Sequence, residues 1–137
     1  MASNLKYSAA LKTSQQTAVS TAAGASAVLT LYSGSQPASP DTAVGAQVAL
    51  STHTCAATFG TASAGVLTVG AIGNGTGTAG AGAGTAATWY RLTTSGGTAL
   101  VDGTVGTSGS DLNLTGTTSI ATGQTVSITS WTLSNAN

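Results

Sequence analysis

From Gly24 onward the apolar residues of this chain alternate with Thr, Ser or Ala in short runs, and a glycine or proline closes nearly every run. A two-residue period is that of a half-buried strand, whose side chains point alternately to the two sides of a sheet. The runs are "SAVLTLYSG" (26–34), "AQVALS" (46–51), "GVLTVGAI" (65–72), "AATWYRLTT" (86–94), "TALVDGTV" (98–105), "DLNL" (111–114) and "TVSITSWTL" (125–133). Turn signals stand between them: Gly34 with Pro37 and Pro40, "SGG" at 95–97, "GTSGS" at 106–110, and Gly123. Helical periodicity is confined to "TSQQTAVSTAA" (13–23), where Thr13 or Ser14 can cap the N-terminus, Ala18, Val19 and Ala22 share a face, and Gly24 suits a left-handed C-terminal residue. Seven or so short strands with no helices alternating among them predict an all-β fold, an antiparallel sandwich or barrel, with one short N-terminal helix. The length suits one domain, 13–137, preceded by an N-terminal arm, 1–12, and interrupted by a Gly-Ala loop at 73–85.

Whether so small-residued a chain folds at all is a question of composition. Leu, Ile, Val and Phe make up under a fifth of it, near the threshold of about 20% that marks disorder. The companion criterion, high net charge, is not met, because the formal charge is zero. Charged residues are only 4% of the chain, against about 25% in ordinary domains. They are Lys6, Lys12, Arg91, Asp41, Asp102 and Asp111, with no glutamate.

This scarcity narrows the partners. Three basic residues release few counterions, far short of the roughly 6–10 phosphate contacts of a nucleic-acid binder, and anionic membranes are disfavoured for the same reason. A neutral surface offers little repulsion between copies, which favours self-association as a homo-oligomer, dimer or trimer. The N-terminus has no apolar stretch of signal-peptide type, so synthesis in a cytoplasm is expected. Cys55 stands alone, which rules out an internal disulfide and a thiolate metal cluster within one chain. The Asn-x-Thr triplets at Asn74 and Asn113 are then accidents of a Thr-rich sequence.

Gly75, Gly77 and Gly80 spell a literal G-x-G-x-x-G, with Asp102 about twenty residues on. A dinucleotide site needs a helix opening at the third glycine. Here "AGAGTAATWYRLTT" follows and turns into a strand, so the segment is expected to be a connector. His53 and Cys55, two apart on a strand, share a face and have the elements of a Cys–His nucleophile pair, but nothing nearby orients the imidazole, and "LSTHTCAATFG" reads as an edge strand entering a loop. Asp41, Asp102 and Asp111 are too scattered for paired-carboxylate hydrolysis, and the last two adjoin turns where Asp bonds backbone. "GTSGS" lacks the glycines of a nucleophile elbow. No catalytic, cofactor or metal site is expected.

Candidate interface residues remain. In the 86–94 strand, alternation sends Tyr90 and Leu92 to the core and places Trp89 and Arg91 on the opposite face, either as a cation–π pair on their own domain or as a patch for a neighbouring subunit. Trp131, out of phase with Val126 and Ile128, poses the same choice. Lys6 and Tyr7, in the arm, are expected to lie on a partner.

The stretches "STAAGASAVLTLYSGSQPA", "SAGVLTVGAI", "GTAATWYRLTTSGGTALVDGTVGTSGSDLNL" and "ATGQTVSITSWTLSNAN" resemble, in pattern and small-residue style, the small decoration or cement proteins of tailed bacteriophages. The resemblance implies a jelly-roll-like β-sandwich, self-association, and attachment to the major capsid protein on the outer surface of the virion. A head- or tail-fibre module, with Trp89, Tyr90 or Trp131 stacking on a host glycan, is the alternative.

Overall fold

Strands form where alternation was read, and a hydrogen-bonded ring joins them. The computed structural model describes residues 4–134. Helix α1 (Ala9–Ala23) precedes β1 (Val28–Tyr32), β2 (Ala49–Thr54), β3 (Gly60–Ser63), β4 (Val66–Val69) and β5 (Gly75–Thr76). Then come β6 (Thr85–Ala86), β7 (Trp89–Thr93), β8 (Ala99–Gly106), β9 (Leu112–Leu114), β10 (Ser119–Ile120), β11 (Thr125–Val126) and β12 (Ile128–Ser134). Eight strands make one sheet in the order β2-β1-β7-β8-β9-β12-β4-β3, while β10 pairs with β6 and β11 with β5. The fold is mostly β with one helix, as the alternation predicts, but its sheet is mixed: β8 and β9 run parallel.

The two ends of that order belong to one hairpin. Its tip is Ala64-Gly65, both left-handed (φ 50° and 80°), the conformation that suits a two-residue turn to the twist of its strands. β2 and β3 are successive parts of one arm, β4 and β5 of the other. The outer edge of β2 is therefore not open, as an edge strand would be: Ser51 bridges to Gly77 and Cys55 to Ile72, and Thr78 N–H and Gly73 N–H donate to Leu50 O (2.8 Å) and Thr54 O (3.0 Å). β5 in turn pairs with β11, which leads through Ser127 into β12. Pairing thus passes from β2 through 72–78 to β11 and β12 and returns through β9, β8, β7 and β1, so the sheet curls back on itself and leaves that flank of β2 covered. Between the two stretches where this arm pairs with β11–β12, the strands part around a cavity of about 340 Å³ lined by residues 68–72 and 128–131.

The core lies inside the curl. Trp131 belongs to it, edge-on to Phe59 (5.6 Å, 82°) and Tyr90 (5.1 Å, 74°), and donates from Nε1 to the Tyr90 hydroxyl at 3.0 Å. Leu29, Leu31, Leu67, Leu92 and Leu112 belong to the same core and have no exposed surface.

Helix α1 starts earlier than the 13–23 segment predicts. Ser8, not Thr13 or Ser14, caps it, with its Oγ accepting from Leu11 N–H at 3.2 Å. Residues 9–12 of the expected arm are therefore helical, and 1–3 lie outside the described residues. Gly24 ends the helix with φ 68°, as expected.

Candidate docking interface

On β7 the sheet registers place Tyr90 and Leu92 inward and Trp89 and Arg91 outward, in agreement with the alternation. The outward pair is nevertheless buried, at 1% and 5% exposure, because the 33–48 loop lies across that face as a strap. Trp89 stacks on Tyr32 (4.5 Å, 13°) and donates from Nε1 to Ser33 O at 3.3 Å. The Arg91 guanidinium carbon lies 5.5 Å from the centre of the Trp89 ring. Arg91 grips both oxygens of Asp102 at 2.7 Å, and its remaining donors reach Thr42 O (2.9 Å) and Ser39 O (3.3 Å). Hydrogen bonding to Asp102 holds its proton still more firmly than usual. Trp89, Arg91 and Trp131 are thus internal to their own chain and are not surface residues awaiting a neighbour: the strap covers the first two, and Phe59 and Tyr90 enclose the third.

The glycine motif is also structural. A Cβ on Gly75 would lie 2.7 Å from the His53 ring, one on Gly80 2.7 Å from Val48, and one on Gly77 would collide with the backbone of Ala121. The 73–85 segment is knitted down. Thr78 Oγ1 donates to Ala49 O at 2.6 Å, Ala79–Ala81 form a single 3-10 turn, and Thr122 Oγ1 donates to Thr78 O at 3.0 Å. His53 does not pair with Cys55. It bonds Ser51 Oγ (3.1 Å) and Gly73 O (3.0 Å), while burial pushes the Cys55 thiol up to about 11. Asp111 bonds not its own turn backbone, as expected, but β8, accepting from Thr104 N–H and Oγ1 at 2.8 Å. Asp102 instead serves the strap.

What remains for a partner is the outer side of α1. The helix meets the β3–β4 hairpin through a polar stripe that sequence periodicity did not reveal: Thr13 Oγ1 accepts from Gly65 N–H (3.1 Å), and Ser20 Oγ donates to Gly60 O (3.0 Å). Gln16 and Ala23, on the same side, are buried. Turned this way, the helix sets the shared face of Ala18, Val19 and Ala22 beside Leu100 and Val101 around an apolar groove of about 260 Å³; Val19 packs partly against the core, while Ala18 and Ala22 stay exposed. Among the described residues, the large apolar side chains left exposed are Leu5 (54%), Leu11 (47%), Val48 and Val66 (39% each). Leu11 precedes Lys12, whose stem packs on Gly65, Val66 follows Gly65 at the start of β4, and Leu5 lies just before the helix. Lys6 is exposed there and Tyr7 half-buried. No helix among the described residues is long and apolar enough to cross a membrane.

Comparison with protein-family models, curated proteins and solved structures finds no match to this chain.

Proposed function

We propose that the chain is a virion structural protein, a decoration or cement protein on the outer surface of a tailed-phage capsid. Made in the cytoplasm of the bacterial host, it bridges neighbouring subunits of the major capsid protein as a small homo-oligomer. The jelly-roll-like sandwich that this reading implies is supported by a mostly β fold whose main sheet curls back on itself. The observation that carries this reading is the apolar groove lined by Ala18, Val19 and Ala22 of α1 with Leu100 and Val101, together with the exposure of Leu11 on the same helix. Such a surface gains about 25 cal/mol per Å² of apolar area removed from water, and many copies on one lattice multiply a weak contact. The glycan alternative has lost its platform, since Trp89, Tyr90 and Trp131 are each at most 4% exposed.

Co-sedimentation with phage heads that lack the protein tests this, at low and high salt. Saturable binding that survives high salt is expected, because burial of apolar area is not screened. Absence of binding to heads would remove the capsid reading.

A further inference from the structure

Ser51 and His53 are 0% and 1% exposed, and both ring nitrogens of His53 are engaged. A carbonyl can only accept, so Nδ1 must carry the proton it shares with Gly73 O, and Nε2 of the neutral ring then accepts from the Ser51 hydroxyl. The ring fills the space that a side chain at position 75 would need. It thus holds the stretch that covers the edge of β2, together with the Gly73 and Thr78 amides bonded to Thr54 and Leu50.

We propose that the Ser51–His53 pair is a proton-operated latch: protonation of His53 releases the 72–78 stretch from β2 and opens the ring of strands at that seam. A second ring proton would turn Nε2 into a donor, leaving the Ser51 hydroxyl proton to find another acceptor inside the core. The new charge would also lack a counter-ion among the described residues. Across the sheet His53 aligns with Leu29, Leu92 and Val101. Arg91 and Asp102 lie in the neighbouring row with Thr52 and Thr30, facing the strap. Tyr32, on β1, faces the strap too and stacks on Trp89. Among the described residues, the titratable groups on the inward face are Cys55 and Tyr90, raised by burial to about 11 and about 12, so neither carries charge in acid. The 72–78 stretch has no ionisable side chain. Release would expose the backbone donors and acceptors of β2, an edge able to take another strand.

Burial lowers the His53 pKa below its ordinary 6.5, against a smaller opposing effect of the Gly73 bond. The latch is therefore fully closed above about pH 6.5 and weakens as pH falls toward the depressed native value, the open state binding the proton more tightly. The test is amide exchange on the intact protein, corrected for intrinsic rates, with 15N spectra of the imidazole. Protection at Gly73 and Thr78 should fall about tenfold per pH unit in that window, the neutral ring should carry its proton on Nδ1, and His53→Gln should abolish the pH dependence. Protection that stays level through the window, a neutral ring protonated on Nε2, or the same acid loss in His53→Gln would each overturn the latch. Should His53→Gln not fold, the wild-type exchange and tautomer decide alone. The latch does not depend on the capsid reading.

Discussion

Two residues show how far local chemistry reaches in a chain with so few functional groups. Arg91 and Asp102 have side chains 7% and 1% exposed, and between them they hold the strap over the outward face of β7. Removing one partner of such a pair strands a buried charge, which costs about 3–5 kcal/mol, whereas replacing both with apolar groups of similar size is often neutral. Asp102→Ala should therefore lower stability by about that amount in urea titration, and Arg91→Met with Asp102→Leu should recover most of it. Gly75 makes the complementary point. The segment was read as a connector in spite of its literal glycine motif, but the constraint on Gly75, the His53 ring, needs the spatial neighbour and could not be drawn from spacing. Gly75→Ala should cost roughly 1–3 kcal/mol by overpacking, read as a lower urea midpoint with an unchanged slope.

At the scale of the element, strands were legible and their neighbours were not. A period of two identifies β1, β7 and β12 and tells which side of β7 each residue takes, but it cannot say that a Pro-containing loop will cover the second side. The parallel β8–β9 pair was invisible for a related reason: residues 107–111 double back in a space that permits only a two-residue overlap, Val105 with Leu112 and Gly106 with Asn113. Asn113 clasps Ser110 through both ends of its amide, a side-chain bond that hydrophobic pattern does not encode. Helix α1 was misread in length and in part in phase, since Val19 packs against the core but Ala18 and Ala22 stay exposed. Apolar spacing pointed to Ala18, Val19 and Ala22, while hydroxyls at 13 and 20, with Gln16 and Ala23, took the buried side because the facing hairpin offers glycine backbone to bond. With neither acidic residues in its first turn nor basic ones in its last, the helix leans on its cap. Ser8→Ala should cost about 1 kcal/mol, or about 3–5 °C in melting temperature for a domain of this size, with loss of helical signal confined to the first turn.

For the whole molecule, hydroxyls stand where charges usually do. Thr61, Thr68 and Thr132 align across β3, β4 and β12, all exposed, and the innermost ion pair removes two of the six formal charges from the surface. Four remain: Lys6, Lys12, Asp41 and Asp111, the last already engaged with Thr104. Screening acts on exposed charges separated by more than about 10 Å at 0.1 M salt, so a surface this sparse has little for salt to screen. The self-association proposed for the α1 side should then be set by apolar area. Sedimentation velocity from about 0.05 to about 1 M NaCl should show the oligomer unchanged or slightly strengthened, and Leu11→Asp, at a position 47% exposed, should yield folded monomer by placing a charge in the buried contact. An oligomer that dissociates as salt rises would locate the interface at the remaining charges instead, and Leu11→Asp that still assembles would move it away from the helix.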